Sequence, residues 1–303
     1  MTPSLVLDGI GVDLRGGGRR ESVRVLDDVD LVLHAGRVRA LVGLNGAGKT
    51  TLMRVALGML RPDRGTVTLL GRPVREAGAE VWRRCGHLVE TPFCYPELTA
   101  RENLHAAATL RGLTGKESRR RADAVAQRLG LGRWLDRRAR TLSLGTRQKV
   151  AIGAATLHAP DVLVLDEPAN ALDPRAVLGL RDLVRDLAAG GAAILVSSHH
   201  LDEVARMADD VDVLHAGRVV GTLAPGGADL ERRFFDLVLA AEDERAEGDR
   251  PEGNRSQGER AEGDRPEGDR SQGERAEGEW PQGHRAEAIA ARHSAAGDEA
   301  ARP

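Results

Sequence analysis

The chain has 303 residues, of which 41% are hydrophobic and 2% aromatic, and its formal net charge is −2. This content supports one large α/β domain or two small ones with a core of leucine, valine and alanine, and the near-neutral charge argues against a nucleic-acid-binding protein. No apolar run approaches the ~20 residues that a membrane-spanning helix needs, and residues 1–8 do not resemble a signal peptide. We therefore expect a protein that works from the cytosol.

Apolar, strand-like runs alternate with helical patterns along residues 1–240. Strands are predicted over 38–42, 66–70, 162–165 and 193–197, and helices over 50–60, 145–157 and 174–189. Thr99, with Glu102 three residues later, forms a capping box that opens a further helix. Short buried strands that alternate with helices indicate an α/β fold with a mostly parallel sheet covered on both faces. The segments 34–38 and 215–219 share the sequence His-Ala-Gly-Arg-Val, and we interpret both as β-hairpin turns.

Residues 43–50 read Gly-Leu-Asn-Gly-Ala-Gly-Lys-Thr, which fits the P-loop pattern G-x-x-x-x-G-K-[ST] between a predicted strand and a predicted helix. Glycines let backbone amides converge on phosphate oxygens, and the N-terminus of the helix adds partial positive charge. Lys49 can reach the outer phosphates of a nucleotide, and the Thr50 hydroxyl can ligate Mg²⁺. The residues predicted to bind the nucleotide here are Gly43, Asn45, Gly46, Ala47, Gly48, Lys49, Thr50 and Thr51.

A second signal is the apolar run 162–165, which is followed by Asp166 and Glu167. At the carboxyl end of a parallel strand, Asp166 would face the P-loop and bind Mg²⁺, and Glu167 would orient or deprotonate the attacking water. Alone, such a run is also typical of a surface loop. Together with a P-loop, it predicts a site that hydrolyses ATP with Mg²⁺.

The composition changes near residue 241. From there the chain repeats five-residue units such as Arg-Ala-Glu-Gly-Asp, with recurrent proline and almost no large apolar side chains. Such a segment cannot offset the entropy of ordering its backbone, so we predict a disordered tail over 241–303 with a short helix near 286–292. The predicted domains are thus a folded unit over 1–240 and this repeat tail.

Further motifs follow the P-loop in the order that is typical of one family. Residues 142–148, Leu-Ser-Leu-Gly-Thr-Arg-Gln, are similar to the LSGGQ signature, and residues 171–173 look like the D-loop. His199, which follows two serines, looks like the switch histidine. Over about residues 5–240 the chain therefore resembles the ABC ATPases.

The resemblance implies a P-loop NTPase core with an N-terminal antiparallel β subdomain and an inserted helical subdomain at about 87–158. It also implies that two such domains sandwich two ATP molecules. Ser143 and Gly145 would then contact the γ-phosphate of the nucleotide bound to the other copy. His199 would touch the γ-phosphate, and Asp173 would line the dimer seam. The alternative for His199 is a solvent-facing histidine.

The sequence departs from the family pattern in three places. Glu90 stands where the family usually has the Q-loop glutamine, and its carboxylate offers an oxygen to Mg²⁺ and the nucleotide; a surface glutamate is the alternative. This form looks like exporters that confer self-resistance to bacitracin or lantibiotics. Leu144 and Thr146 replace two residues of the signature. No aromatic residue lies near 10–25 to stack on adenine, so Arg15 or an aliphatic side chain would replace it.

These residues predict an ATP-binding and ATP-hydrolysing protein that uses Mg²⁺, and the resemblance implies a subunit that powers a separately encoded membrane permease. The resemblance favours an exporter of a drug, antibiotic or lantibiotic, bound at the cytoplasmic face of the membrane and paired with a second ATP-binding subunit. No nucleic acid is expected as a partner. One alternative is a non-transport ABC-type ATPase that acts on nucleic acid or ribosomes. Another is a nucleotide-gated binding module without turnover, against which intact Lys49 and Glu167 argue.

Overall fold

The computed structural model describes residues 3–15, 22–226 and 229–248. Its strands are β1 (Pro3–Arg15), β2 (Ser22–His34), β3 (Val38–Val42), β4 (Arg64–Leu69), β5 (Arg72–Pro73), β6 (Cys85–Leu88), β7 (Val162–Leu165), β8 (Ala193–Ser198), β9 (Asp210–His215) and β10 (Arg218–Leu223). Its helices are α1 (Lys49–Ala56), α2 (Ala79–Trp82), α3 (Ala100–Leu110), α4 (Gly115–Arg128), α5 (Leu144–Thr156), α6 (Pro174–Ala189), α7 (Leu201–Ala205) and α8 (Leu230–Gly248). Across these described ranges, no helix is both long enough and apolar enough to cross a membrane.

The strands form two sheets. One has six strands in the order β10-β9-β3-β8-β7-β6, and all neighbours in it are parallel except the antiparallel edge pair β9 and β10. The other has four antiparallel strands in the order β2-β1-β4-β5. The predicted α/β fold, with a mostly parallel sheet and an N-terminal antiparallel β subdomain, is therefore confirmed.

Both faces of the six-stranded sheet are buried. Along β7, Leu163 and Leu165 pack into a core shared with helices α3 to α6 and α8. Val162 and Val164 pack on the opposite face, into a second core shared with β1, β2 and α1. Because side chains alternate along a strand, an uninterrupted apolar run is what a strand between two cores requires.

Helices α3, α4 and α5 lie between β6 and β7 in the chain and pack on one another around Leu104 and Val125. The predicted capping box is confirmed at the start of α3. The Thr99 hydroxyl accepts a hydrogen bond from the Glu102 amide at 3.2 Å, and the Glu102 carboxylate accepts one from the Thr99 amide at 2.7 Å. These helices lie within the segment predicted as the helical subdomain, about 87–158.

Helix α1 ends at Ala56 rather than at the predicted residue 60. The Gly58 amide donates to the Val55 carbonyl at 3.0 Å, and the Met59 amide donates to the Arg54 carbonyl at 2.9 Å. These are the two hydrogen bonds of a Schellman motif, which satisfies the last carbonyls of a helix and ends it. The apolar residues that follow the motif therefore belong to the connection to β4.

One of the two predicted hairpins is wrong. The turn at 215–219 joins the antiparallel neighbours β9 and β10, as predicted. The turn at 34–38, with the same sequence, connects β2 of the four-stranded sheet to β3 of the six-stranded sheet, and these two strands do not pair. The local sequence specifies a tight turn in both places, but the sheets on either side decide which strands pair.

Helix α8 extends past residue 241, where the tail was predicted to begin. Its apolar side packs Phe234 and Val238 against the core beneath β9 and β10, and the helix continues to Gly248. Disorder is therefore a wrong prediction for 241–248, because alanine, glutamate and arginine readily extend a helix that packing has already nucleated. Residues 249–303, with the short helix predicted there, lie outside the described residues.

Candidate functional site

The predicted site residues follow strands that are neighbours in the six-stranded sheet. The loop 43–48 follows β3, and His199 follows β8. Asp166 and Glu167 follow β7. Because β3, β8 and β7 are adjacent and parallel, their carboxyl ends meet at one edge of the sheet. The topology therefore brings the phosphate-binding pattern and the candidate catalytic side chains together.

The loop 43–48 leads directly into α1, whose first residue is Lys49. Gly48 has a φ of 108°, and a side chain on it would lie 3.0 Å from the Val25 carbonyl, so this position requires glycine. The N-terminus of α1 presents backbone amides and the positive end of the helix dipole to the loop. The Lys49 amine is buried and donates to the Gly43 carbonyl at 2.7 Å. Of the other predicted loop residues, Asn45, Gly46 and Ala47 form the turn, and Thr50 and Thr51 lie in the first turn of α1.

A hydroxyl and a carboxylate meet beside this loop. The Thr50 hydroxyl donates to Oδ2 of Asp166 at 2.7 Å, and Asp166 is buried. Mg²⁺ prefers hard oxygens such as these and usually binds through one or two protein ligands together with substrate phosphates. Within the described part of the chain, no group of three or more His, Cys, Asp or Glu side chains could hold a metal. The two oxygens of Thr50 and Asp166 fit a Mg²⁺ ion that arrives with a nucleotide.

Glu167 lies between Lys49 and His199. Its Oε1 is 3.6 Å from the Lys49 amine, and its Oε2 is 2.8 Å from Nδ1 of His199. Its backbone has a φ of 47°, in the left-handed region that residues other than glycine rarely adopt. The three side chains predicted to be catalytic thus form one connected group.

Glu90 makes a different contact from the predicted one. It lies just beyond β6 with a φ of 69°, and its carboxylate forms an ion pair with Arg54 of α1. The Arg54 and Glu90 side chains are 41% and 46% exposed. Thr50, in the first turn of α1, contacts Asp166, whereas Glu90 contacts Arg54 in the last turn of α1.

The signature and D-loop residues form a second group. Ser143 caps the N-terminus of α5, and its hydroxyl accepts a hydrogen bond from the Thr146 amide at 3.3 Å. A side chain on Gly145 would lie 2.1 Å from the Ala171 carbonyl, so glycine is required for α5 to approach the D-loop this closely. The two motifs are therefore packed against each other within one chain.

An ion pair also links these two motifs. Asp173 caps the N-terminus of α6 by accepting a hydrogen bond from the Ala176 amide at 3.0 Å. It also accepts a hydrogen bond from the largely buried amine of Lys149 in α5. The bond from Lys149, and then that from the Ala176 amide, hold the pKa of Asp173 below its usual range. Asp173 therefore stays ionised beside the signature helix.

Comparison with known proteins shows the family to which the chain belongs. A sequence model of the ABC transporter family matches residues 26–170. The chain is 36% identical over 204 residues to the ABC transporter ATP-binding protein NatA of Bacillus subtilis (strain 168), and the match covers 67% of this chain and 82% of that protein. The chain belongs to the ABC transporter ATP-binding family.

Two further proteins are similar to this ABC ATPase. The bacitracin transport ATP-binding protein BcrA of Bacillus licheniformis is 36% identical over 200 residues, which cover 66% of this chain and 64% of that protein. The ATP-binding cassette MJ0796, solved as a dimer in a post-hydrolysis state bound to ADP and Pi, matches with a TM-score of 0.67 and 22% identity, covering 74% of this chain and 99% of that one. The predicted ATP-binding, ATP-hydrolysing transporter subunit is confirmed, and no comparison favours the non-transport alternative.

In this ABC ATPase, the antiparallel subdomain has exposed aliphatic side chains within residues 10–25, where no aromatic residue is available to stack on adenine. Leu14 in β1 and Val23 in β2 are register partners, and both are exposed. Partners in an antiparallel register point to the same face of the sheet, so the two side chains form a small apolar surface. That an aliphatic side chain contacts adenine in place of an aromatic one stays a prediction, and the pair of Leu14 and Val23 supports it. The side chain of Arg15 lies outside the described residues.

Sequence analysis missed the site contacts of Arg54, Lys149 and Ser197. Arg54 lies one helical turn after Thr50, so helical spacing alone would have placed both on one face of α1. Ser197 lies in β8 one residue after the register partner of the last residue of β7, which puts it beside Asp166. The contact between Lys149 and the D-loop depends on how two helices of this ABC ATPase pack, and it leaves no local signal in the sequence.

Proposed function

We propose that this chain hydrolyses ATP with Mg²⁺ to power a separate permease that exports an antibiotic, a drug or a lantibiotic. The observation that carries the proposal is the Glu167 carboxylate, which lies 3.6 Å from the Lys49 amine and 2.8 Å from Nδ1 of His199. A base, a cation for phosphate and a hydrogen-bond partner for the base are thus next to the Thr50 and Asp166 oxygens. Phosphoryl transfer to water needs this set of groups.

The loop and α1 would bind the phosphates. Backbone amides and the helix N-terminus attract the phosphate oxygens. Lys49 would exchange its hydrogen bond to the Gly43 carbonyl for one to the outer phosphates, where its charge stabilises the transition state. Thr50 and Asp166 would hold Mg²⁺, which neutralises phosphate charge when it is bound. The remaining loop contacts would come from Asn45, Gly46, Ala47, Gly48 and Thr51.

Glu167 would act as the general base. It accepts a proton from the water that attacks the γ-phosphorus, and the bond between that phosphorus and the bridging oxygen of ADP breaks. The hydrogen bond between Nδ1 of His199 and Oε2 of Glu167 fixes the orientation of the carboxylate. With both ring nitrogens protonated, His199 would also donate from Nε2 to the γ-phosphate.

A second copy of the chain would complete each nucleotide site with Ser143, Gly145 and Asp173. The N-terminus of α5 is open to solvent, since Leu144 is 53% exposed. An exposed helix N-terminus with a serine cap is suited to bind phosphate oxygens of a nucleotide held by another copy. The dimeric state of MJ0796, which has the same fold, supports this arrangement.

The permease, the export direction and the cytoplasmic membrane face are proposed from the relatives and from Glu90. BcrA is described as a bacitracin transport protein, and the chain shares 36% identity with it. Glu90 lies between β6 and α3, at the entrance to the helical subdomain, and its ion pair with Arg54 connects that entrance to the phosphate-binding helix. This contact offers a route from nucleotide state to a membrane partner docked on the helical subdomain.

The test compares Glu167→Gln with the parent chain, using phosphate release for turnover and a fluorescent ATP analogue for binding. Glutamine keeps the shape of the side chain and loses the base, so turnover should fall by about 10²- to 10⁴-fold while ATP binding persists. Glu76→Gln, at an exposed glutamate, is the matched control and should leave both quantities unchanged. Undiminished turnover in Glu167→Gln would contradict the proposed base. Co-purification from membranes would identify the permease.

A further inference from the structure

Ser197 is a fully buried residue near the carboxyl end of β8. Its hydroxyl lies 2.5 Å from Oδ1 of Asp166 and 2.9 Å from the Glu167 amide nitrogen. One hydroxyl therefore touches both residues that follow β7, the predicted metal ligand and the predicted base. The proposed reaction gives this hydroxyl no role.

The direction of these hydrogen bonds follows from the number of protons. A hydroxyl carries one hydrogen, an amide N–H can only donate, and an ionised carboxylate can only accept. The Ser197 oxygen therefore accepts from the Glu167 amide and donates its single hydrogen to Asp166. The three groups form a chain of hydrogen bonds that runs one way, and the bonds in such a chain strengthen one another.

Asp166 is held at both of its carboxylate oxygens. Oδ1 accepts from Ser197, and Oδ2 accepts from the Thr50 hydroxyl at 2.7 Å. The two bonds fix the plane of the carboxylate, and because Thr50 is the donor its oxygen keeps lone pairs for a metal ion. Hydrogen bonds from outside the metal ligands orient ligating carboxylates in this way and raise metal affinity.

The same hydroxyl supports an unusual backbone at Glu167. With a φ of 47°, this residue occupies a region that glutamate rarely adopts. Its amide bonds to Ser197, and its carbonyl accepts from the Asn170 amide at 3.2 Å. These two bonds hold the turn from which the Glu167 side chain reaches Lys49 and His199.

We propose that Ser197 is a positioning residue that couples the metal ligand Asp166 to the base Glu167. The inference rests on the proposed function, because it assigns a role toward the same metal and the same attacking water. Without the hydroxyl, the Asp166 carboxylate loses one of its two anchors and the Glu167 amide loses its buried partner. Metal affinity and turnover should then fall together, whereas a residue needed only for folding would change stability alone.

The experiment compares Ser197→Ala with Ser198→Ala in the full-length chain. Ser198 is the matched control because it is the next residue and is also buried, but its hydroxyl accepts from the His200 amide at 2.9 Å. Mn²⁺ binding in the presence of ATP is measured by electron paramagnetic resonance in the Glu167→Gln background, where turnover does not interfere. The kcat and the half-saturating Mg²⁺ concentration are measured with Glu167 intact.

We expect Ser197→Ala to weaken Mn²⁺ binding and to lower kcat by about 10-fold each, as loss of a hydrogen bond to a metal ligand commonly does. Ser198→Ala should leave the Mn²⁺ affinity and the half-saturating Mg²⁺ concentration unchanged. Parent-like Mn²⁺ affinity in Ser197→Ala, or an equal loss in the two serine variants, would overturn the inference.

Two further variants keep the outcome clear if Ser197→Ala does not fold. Ser197→Cys has nearly the shape of the parent but is a weak donor, so it should lose Mn²⁺ affinity, and parent-like affinity would overturn the inference. Ser197→Thr keeps the hydroxyl and should bind Mn²⁺ like the parent. Equal ATP turnover by the parent and by Glu167→Gln would instead contradict the proposed function. That result would not depend on any serine variant.

Discussion

The group around Glu167 and the group around Ser143 are built in different ways. The first comes from loops at the edge of one buried sheet, and its polar side chains bond to one another, so that both Asp166 oxygens are satisfied. The second comes from the N-termini of α5 and α6, where the residue Leu144 and the side chain of Asp173 are each 53% exposed. The first group can therefore be complete within one chain, whereas the second presents open helix ends that fit a ligand held elsewhere.

The largest expected effect tests whether the Ser143 group works across two copies. In the Glu167→Gln background, ATP should convert monomers into dimers, as measured by sedimentation over a range of protein concentrations. Ser143→Ala removes the hydroxyl that would meet the other copy's nucleotide. A hydrogen bond to a charged group contributes about 1.5–3 kcal/mol, and a symmetric dimer would lose two of them, so dimerisation should weaken by about 10²- to 10⁴-fold.

Thr99→Ala is the control for the loss of a helix cap. Thr99 also caps a helix N-terminus, that of α3, through its capping box with Glu102. Each substitution should lower the free energy of unfolding by about 1 kcal/mol. Only Ser143→Ala should weaken the dimer, and equal dimerisation of the two variants would remove the case for a shared site.

A smaller effect tests the ion pair inside the second group. Lys149→Met keeps a long side chain but leaves Asp173 without its strongest partner, so the pKa of Asp173 should rise toward its ordinary value. Because Asp173 is half-exposed, the free energy of unfolding should change by no more than about 1 kcal/mol. NMR titration of the carboxylate and the ATPase rate at varied Mg²⁺ would check this. We expect slower turnover with an unchanged Mg²⁺ requirement. A changed Mg²⁺ requirement would mean that the group around Ser143 and the group around Glu167 act as one unit.

The smallest effect is expected at Glu90. Its ion pair with Arg54 is exposed on both sides, and such pairs contribute about 0–1 kcal/mol, so Glu90→Gln should keep the ATPase rate within about two-fold. Arg54→Met is the matched change on the other side of the pair and should behave the same. If Glu90→Gln alone altered the Mg²⁺ requirement of hydrolysis, the carboxylate would belong with the first group, as the sequence predicted.

The phosphate loop and the two carboxylates could be predicted because each depends on residues close together in the sequence. A short apolar strand, a glycine-rich loop and a helix surround Gly48, and another apolar strand precedes Asp166. The order of parallel strands then places these segments at one edge of the sheet. The local pattern and the topology agree here, so sequence reasoning found the first group almost entire.

Contacts between distant segments were not predictable in the same way. The hydrogen bonds of Ser197 depend on the register of β7 against β8, and the Lys149 contact depends on helix packing. The repeated sequence at 34–38 and 215–219 is the clearest case, because identical residues join different sheets in one place and form a hairpin in the other. Local sequence specified the turns, and the surrounding strands specified the pairing.

The backbone at position 167 has a consequence for how this sequence can drift. A φ of 47° suits glycine, is tolerated by asparagine and aspartate, and is unfavourable for glutamate and still more so for threonine or valine. Exchanging Glu167 for glycine would relieve about 1 kcal/mol of backbone strain, but it would also remove the contacts of the carboxylate with Lys49 and His199. β-branched replacements would be selected against by the backbone itself. At position 167 the contacts of the side chain and the preference of the backbone therefore favour different residues.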